Sequence, residues 1–270
     1  EKNGGGLYTF STLNDYLIGK INQFQQAIPA AGSKGYYQAA QTEYAAYLQD
    51  SIKVRSNLTV TGGLRWDGQV NPQPDRPNPA YPITSRIPND LAMWQPRLGV
   101  AWDLSGRGAT MVRASSGYYD SRTPGYLMQR VFTDNGLDVL NVDSRIDASI
   151  LTYLTIPNGL TAIPAGVALP LNSIYAFDPD FRNPRSLQNA VSFEQEIGRN
   201  TRVTVSYARN RTRDLQRRVD KNLFRPTINA AGVPIYPTTT AGVPIRPDPA
   251  IGQLNVTPEL LGSLLSSERK

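Results

Sequence analysis

The sequence predicts an all-β fold: an antiparallel up-and-down transmembrane β-barrel segment of about eight strands, with long loops and short helical pieces. Three observations support this prediction. Paired segments alternate polar and apolar residues, tight turns and long connections follow one another in strict succession, and aromatic residues fall on the apolar faces. Short turns at one end of a sheet and long loops at the other are typical of outer-membrane barrels.

The composition excludes several kinds of catalytic site. The 270 residues include no histidine and no cysteine, so the chain carries no Ser-His-Asp triad, no thiol nucleophile and no Cys or His zinc site. The net charge is +6, but the basic residues form no stripe with stacking aromatics. We therefore expect no nucleic-acid partner and no cofactor. Carboxylate-only chemistry, such as glycoside hydrolysis, stays open on composition alone, but we expect no enzymatic activity.

The first elements are a short strand and a helical connector. Leu7–Phe10 predicts a strand, and Ser11–Gly19 predicts a short helix capped by Ser11 or Thr12. A second strand is expected over Ile21–Ile28. These two strands count among the eight.

The first hairpin joins Gln41–Val54 to Asn57–Asp67. In its second strand, apolar residues hold the even positions as far as Trp66, and polar residues, including Arg65 and Asp67, hold the odd ones. Such alternation makes one face of a strand apolar and the other polar. The strand also has about the 9–11 residues that a tilted spanning strand needs.

Two further hairpins repeat this design. One runs over residues 97–104 and 110–118 around a Ser-Gly-Arg-Gly turn, and the other over residues 191–197 and 202–207 around a Gly-Arg-Asn-Thr turn. Their apolar faces carry Trp102, Tyr118 and Tyr207. Their polar faces carry Arg97, Asp103, Arg113, Glu194 and Glu196.

Long connections separate the hairpins. Asn71–Trp94 contains six prolines and should hold no central strand. Ser121–Arg185 contains a helical stretch over Thr123–Asp134, and Arg225–Pro249 is rich in Pro, Gly and Thr. The tail predicts a helix over Thr257–Ser267. Residues 1–222 are thus expected to hold the barrel strands and loops, and 223–270 an extracellular-type loop of the same domain with a short C-terminal helix.

Two groups of residues are candidates for function. Aromatic residues that should anchor the wall at the lipid interface are Trp66, Trp102, Tyr118 and Tyr207. Charged residues that should face the barrel interior are Arg65, Asp67, Arg97, Asp103, Arg113, Glu194 and Glu196. The charged group either guides a substrate or forms a solvated, mutually paired interior, and the second interpretation is the simpler one.

Other chemistry has weaker support. Glu194 and Glu196 share a strand face, as a glycosidase carboxylate pair could, but no substrate cleft is indicated. Asp178, Asp180 and Asn183 carry oxygen ligands suited to Ca²⁺, although their spacing is that of ordinary turn formers. Trp66 and Trp102 could stack on sugars, but lipid anchoring fits an alternating apolar face better.

Several motifs together resemble the barrel of Oar-like TonB-dependent transporters. They occur in order from about Leu7 to Asn222 and stand at residues 8–19, 47–54, 57–60, 63–66, 96–102, 112–119 and 206–211. Ile52 departs from the pattern, because the family usually has Trp there, and the loops match no family pattern.

The resemblance implies an outer-membrane barrel of about 22 strands, plugged from within and driven by the TonB complex. Outer-membrane lipid, the TonB complex acting through a plug domain, and a bulky substrate such as a glycan or peptide are the implied partners. The chain is expected to be an internal fragment of such a protein in a Gram-negative type of bacterium. The competing hypothesis is a secreted soluble β-sandwich that binds carbohydrate or protein.

Overall fold

The computed structural model describes residues 4–33, 37–198 and 200–257. Two α-helices, α1 and α2, cover Leu13–Leu17 and Gly125–Thr133, and two 3₁₀ turns cover Pro82–Ser85 and Ala148–Tyr153. The strands β1 to β14 are, in chain order, Leu7–Thr9, Gln23–Pro29, Thr42–Arg55, Leu58–Val70, Asp90–Asp103, Thr110–Asp120, Val139–Asp143, Ile174–Phe177, Arg185–Ile197, Thr201–Arg213, Val219–Asp220, Thr227–Ile228, Pro234–Ile235 and Leu254–Thr257.

Six long strands form one antiparallel sheet in the order β3-β4-β5-β6-β9-β10. Neighbours in space are also successive along the chain, except that β7 and β8 are inserted between β6 and β9. This is the up-and-down arrangement that the sequence predicts, and the three predicted hairpins are confirmed. Among the described residues, β3 and β10 are the two edges of the sheet.

The strand registers place the apolar residues on one face. Leu58 lies opposite Trp102, which lies opposite Val112, and Val112 lies opposite Phe193. We call this side of the six-stranded sheet the apolar face and the other side the polar face. Apolar-face side chains remain exposed, for example 79% of Leu48. They are therefore not the core of a water-soluble sandwich, in which such side chains would be buried.

Strand β5 begins earlier than the prolines suggest. The prediction that Asn71–Trp94 holds no strand is wrong over its last five residues, because β5 starts at Asp90. Pro96 lies within β5, where it pairs with Leu64 of β4. On its other side, β5 pairs with β6 only from Arg97 onward, so the N–H that proline lacks is not needed there.

The first two predicted strands pair with each other but do not extend the six-stranded sheet. They form a separate sheet, in the order β1-β2-β7, in which Gln25 lies opposite both Leu7 and Asp143. The connector between them is helical as predicted. Thr12 caps α1 by accepting a 3.1 Å hydrogen bond from the Asp15 N–H.

The sequence suggested that the long connections are structureless. In the structure they fold together. We call residues 4–33, 37–41, 71–89, 121–184 and 214–257 the loop module. One buried cluster joins Ile87, Met128, Val131, Phe177 and Phe181. A second joins Phe24, Ile28, Val142 and Ile150. Buried apolar clusters of this kind give the module a core of its own.

The last described segment adds small sheets to the module. Strand β14 pairs parallel with β8 and antiparallel with β11, and β12 and β13 form a short hairpin. The predicted tail helix falls beyond Thr257, outside the described residues. Among the described residues, no helix is long and apolar enough to cross a bilayer.

Candidate transport surface and loop pocket

All seven charged residues predicted for the interior lie on the polar face. They are Arg65, Asp67, Arg97, Asp103, Arg113, Glu194 and Glu196. The structure divides them into two ion-pair clusters and two separate residues. Glu196 is exposed and lies opposite Arg202, whereas Asp103 is part of a tight turn.

The first cluster is a chain of hydrogen bonds across β4 and β5. Arg65 donates two hydrogen bonds to Asp67, of 2.7 and 2.8 Å. The side-chain amide of Gln95 also donates to Asp67, and Arg97 donates a 3.1 Å hydrogen bond to Gln95. Arg65 therefore contacts the Asp67 carboxylate directly, whereas Arg97 is linked to it through the side-chain amide of Gln95.

Arg97 lies flat against the sheet. Its guanidinium stacks 4.3 Å from the centre of the Tyr119 ring, and its Nε is buried without a hydrogen-bond acceptor among the described residues. Gly117 makes room for it, because a Cβ there would lie 3.0 Å from Arg97 Cγ. The sequence pattern gave Arg97 the correct face but indicated neither partner.

The second cluster centres on Glu194. Arg113 pairs with one of its carboxylate oxygens, and Arg202 lies 3.6 Å from the other. Glu194 is thus engaged by two arginines and is not arranged as the free acid of a glycosidase. Asp103 instead fixes its turn, accepting hydrogen bonds of 2.7 Å from the Ser105 hydroxyl and 2.6 Å from the Gly108 N–H.

The four predicted interfacial aromatics all lie on the apolar face, and their contact with lipid stays a prediction. Trp102 is near the tight-turn end of the sheet, and Tyr207 is 67% exposed on β10. Trp66 lies near the opposite end, 6.2 Å from Trp94 between ring centres, and donates a 2.8 Å hydrogen bond to the Leu91 carbonyl. Sequence reasoning missed Trp94 because it assigned this residue to a loop.

Near the long-loop end, the β5 and β6 backbones separate. They pair as far as Arg97 and Gly117, beyond which β5 continues beside β4 and β6 continues beside β9. Arg185 of β9 fills this gap. It pairs with Asp120 at 2.7 and 2.8 Å and lies over the Tyr118 ring at 5.6 Å.

The loop module is fastened to the polar face through buried amides. Asn183 donates a 2.8 Å hydrogen bond to Gln69 and accepts one of 2.7 Å from the Thr123 hydroxyl, and its N–H donates to Asp90 at 3.0 Å. Asn183 therefore joins β4, β5 and the segment after β6. No group of acidic residues in the described ranges is placed to hold a metal ion.

The module contains an open pocket of about 480 Å³. One wall carries the rings of Tyr37 and Phe132, whose centres are 4.3 Å apart. The lining also includes Arg76, Asp138 and Asn135. Arg76 pairs with Asp138 at 2.6 Å, and Asn135 donates a 2.8 Å hydrogen bond to the same carboxylate.

Several polar groups of this pocket stay available to a ligand. Among the described residues, Asp75 and Gln38 make no side-chain hydrogen bond or ion pair, and neither does the Tyr37 hydroxyl. Burial raises the pKa of Tyr37 above its ordinary value. A tilted pair of rings beside paired and unpaired polar groups suits a ligand with both apolar and polar surface. The lining residues come from separate segments of the chain, so no local sequence motif predicted the pocket.

A protein-family model described as "Outer membrane beta barrel domain" matches residues 1–259. The chain belongs to this family. An outer membrane β-barrel domain lies in the outer membrane, so the predicted localisation is confirmed and lipid is a partner of the protein. The alternating strands and the exposed apolar face fit that environment. A comparison with curated proteins found no match.

Proposed function

We propose that this outer membrane β-barrel domain forms part of the wall of a TonB-dependent transporter that takes up a bulky nutrient, such as a glycan or a peptide. The observation that carries the proposal is the position of the loop module. It contains an open pocket and is fastened by Asn183 and Gln69 to the long-loop end of a charged polar face. The pocket that captures the substrate would thus lie next to the polar face along which the substrate passes.

In this proposal the polar face lines the interior of the barrel. Each carboxylate of its clusters is already shared between guanidinium or amide groups, as Asp67 and Glu194 are. A substrate crossing such a surface exchanges one hydrogen bond for another and is not held by a single unpaired charge. Binding sites that are weak and multiple favour release as well as entry.

The loop pocket is the proposed site of first contact. Tyr37 and Phe132 offer apolar ring surface, and Asp75 and Gln38 offer hydrogen-bonding groups. This combination suits a sugar, whose ring carries an apolar face and a rim of hydroxyls, and it also suits a peptide with an aromatic side chain. The protein performs no covalent chemistry, and the energy for uptake comes from the inner membrane through the TonB complex.

Uptake in cells tests the proposal. The intact protein is expressed in the outer membrane of cells with and without a functional TonB complex, and entry of fluorescent oligosaccharides and peptides is measured. We expect uptake that an uncoupler abolishes and that Phe132→Ala reduces about tenfold or more through the lost ring surface. The matched control is Tyr126→Ala, which removes a 65% exposed ring from the same helix outside the pocket.

Two results would contradict the proposal. One is uptake that persists without the TonB complex, together with steady ion conductance in planar bilayers, which would identify a passive pore. The other is an equal loss of uptake in both variants, which would remove the pocket from the mechanism.

A further inference from the structure

The apolar face changes character along β10. Side chains of alternate residues in a strand point to the same side, so Val203, Val205 and Tyr207 are followed on that face by three arginines. These are Arg209, Arg211 and Arg213. The register confirms the side, because Arg209 lies opposite Asn189 and Arg211 opposite Leu187, which both continue the face of Val191 and Phe193.

The row of arginines passes the level of an outer aromatic residue, Tyr118. Strands β4, β6 and β10 all start at the tight-turn end. The registers place Arg211 level with Tyr118, because both lie opposite Leu187 of β9, and Arg209 lies level with Ser116, opposite Asn189. Interfacial Trp and Tyr mark the edge of the hydrocarbon, and a spanning strand needs about 9–11 residues. Arg211 and Arg213 therefore lie at head-group height.

The charges of these arginines are poorly compensated by protein groups. Among the described residues, Arg209 and Arg211 form no ion pair. Arg213 lies 3.7 Å from Asp214, and its side chain remains 60% exposed. Arg185, opposite Arg213, differs, because Asp120 neutralises it at 2.7 Å. The result is an exposed basic row on a surface that otherwise faces lipid.

We propose that Arg209, Arg211 and Arg213 bind the phosphate groups of anionic lipids in the outer leaflet. In outer-membrane barrels the tight turns face the periplasm, which places the basic row on the external side. Guanidinium groups bind phosphate through paired hydrogen bonds. Alternate residues of a strand lie about 7 Å apart, so the row can engage a head group with two phosphates or two adjacent head groups.

A lipid titration tests this inference independently of transport. The intact protein, purified in a zwitterionic detergent, is titrated with fluorescent lipid A, which carries two phosphates. Phosphatidylcholine and inorganic pyrophosphate serve as comparison probes. We expect Arg209→Gln/Arg211→Gln to weaken lipid A binding about tenfold or more, and added salt to weaken binding to the unaltered protein.

Matched variants show whether lipid A binding depends on these particular arginines or only on the total positive charge of the protein. Arg55→Gln/Arg107→Gln removes two exposed positive charges at the tight-turn end and should leave lipid A affinity unchanged. Arg209→Lys/Arg211→Lys should retain most of the binding, because the charge is kept. Heat-modifiability on gels confirms that each barrel is folded.

Four outcomes would overturn the inference. The first is an equal affinity for lipid A with and without the two arginines. The second is an equal loss of affinity in the tight-turn control variant. The third is binding of pyrophosphate as tight as that of lipid A, which would indicate a site for free phosphate. The fourth is a loss of heat stability in lipid-free detergent specific to Arg209→Gln/Arg211→Gln, because the arginines would then serve a protein contact.

Discussion

Arg185 of β9 and Asp120 of β6 lie directly opposite one another and share hydrogen bonds of 2.7 and 2.8 Å. The same guanidinium donates to the carbonyls of Trp94 and Ala92 on β5, at 3.1 and 3.4 Å. It therefore satisfies backbone groups of β5 that β6 does not reach. One side chain spans a gap in the backbone ladder of the sheet.

Removing this side chain should open the gap. Arg185→Met leaves Asp120, whose side chain is only 2% exposed, without its cation, and breaking such a pair typically costs about 3–5 kcal/mol. We expect a lower urea midpoint for the folded protein in lipid vesicles and faster amide exchange over residues 90–96. Arg185→Lys should recover part of the loss, since it restores the charge but not the contacts with the two carbonyls.

The matched control is Arg202→Met, which breaks a more exposed pair with Glu194. The Arg202 side chain is 51% exposed, and exposed ion pairs contribute about 0–1 kcal/mol. Equal midpoints for Arg185→Met and Arg202→Met would show that Arg185 does not hold β5 and β6 together.

Substitutions at two adjacent residues of β3 test whether the apolar face contacts lipid or water. Leu48 is 79% exposed there, and Gln49 lies next to it on the polar face. An arginine facing the hydrocarbon near mid-membrane costs about 2–4 kcal/mol, whereas one facing the interior costs little. We therefore expect Leu48→Arg, but not Gln49→Arg, to reduce folding into vesicles, measured by heat-modifiability and by urea titration. Equal folding of both variants would mean that this side of the sheet faces water.

Asn183 should control the attachment of the loop module without controlling the barrel. Asn183→Ala leaves the buried Thr123 hydroxyl without its acceptor, at about 1–3 kcal/mol, whereas Gln69 keeps its direct 3.2 Å hydrogen bond from the Thr123 N–H. We expect faster amide exchange over residues 121–134 with little change in the six-stranded sheet. The control is Asn189→Ala, because Asn189 is only partly buried and accepts a single side-chain hydrogen bond, from Ser116. Uniform acceleration throughout the chain by Asn183→Ala would contradict a local role.

Tyr81 and Asp248 join two remote parts of the loop module through a 2.6 Å hydrogen bond. Burial, then this hydrogen bond, raises the pKa of Tyr81 to about 12, and the same bond lowers the pKa of Asp248. A raised tyrosine pKa contributes stability below its ordinary value of about 10, and this contribution is lost as the pH rises through about 12. A lowered aspartate pKa contributes stability above about 3.9, which is lost as the pH falls through the folded-state pKa.

Tyr81→Phe removes both contributions. We expect the tyrosinate absorbance of the unaltered protein, minus that of the variant, to report one phenol that titrates near pH 12. Tyr126→Phe, which alters a 65% exposed ring, controls for the loss of one phenol. Titration of the Tyr81 phenol at its ordinary pKa would show that its contact with Asp248 is not formed.

Period-two alternation predicted the long strands because an apolar face and a polar face impose a strict pattern on every strand. The hairpin around Asp103 could be predicted for a second reason, because the Ser-Gly residues of its turn are typical of tight turns. The polar side of Arg97 and Glu194 followed from the same alternation. Their partners did not, because Tyr119 and Arg202 come into contact through strand registers that no local pattern encodes.

The fold of the loop module could not be predicted from the sequence for a related reason. Its clusters bring together residues such as Ile87, Met128 and Phe177 from different connections, and none of these segments shows a regular apolar period. Dense prolines also hid the start of β5, whose Pro96 is tolerated only because β6 does not pair there. Arg185 carried no signal at all, since the gap that it fills exists only in the assembled sheet.

The inserted segment between β6 and β9 leaves and rejoins the sheet at neighbouring strands. Asp120 and Arg185 are 65 positions apart in sequence yet are directly paired. A segment whose two ends meet in this way can be lengthened, shortened or exchanged as a cassette while the strands that carry it keep their alignment. The long-loop end of the sheet can therefore change in size and composition independently of the six strands that form the wall in the membrane.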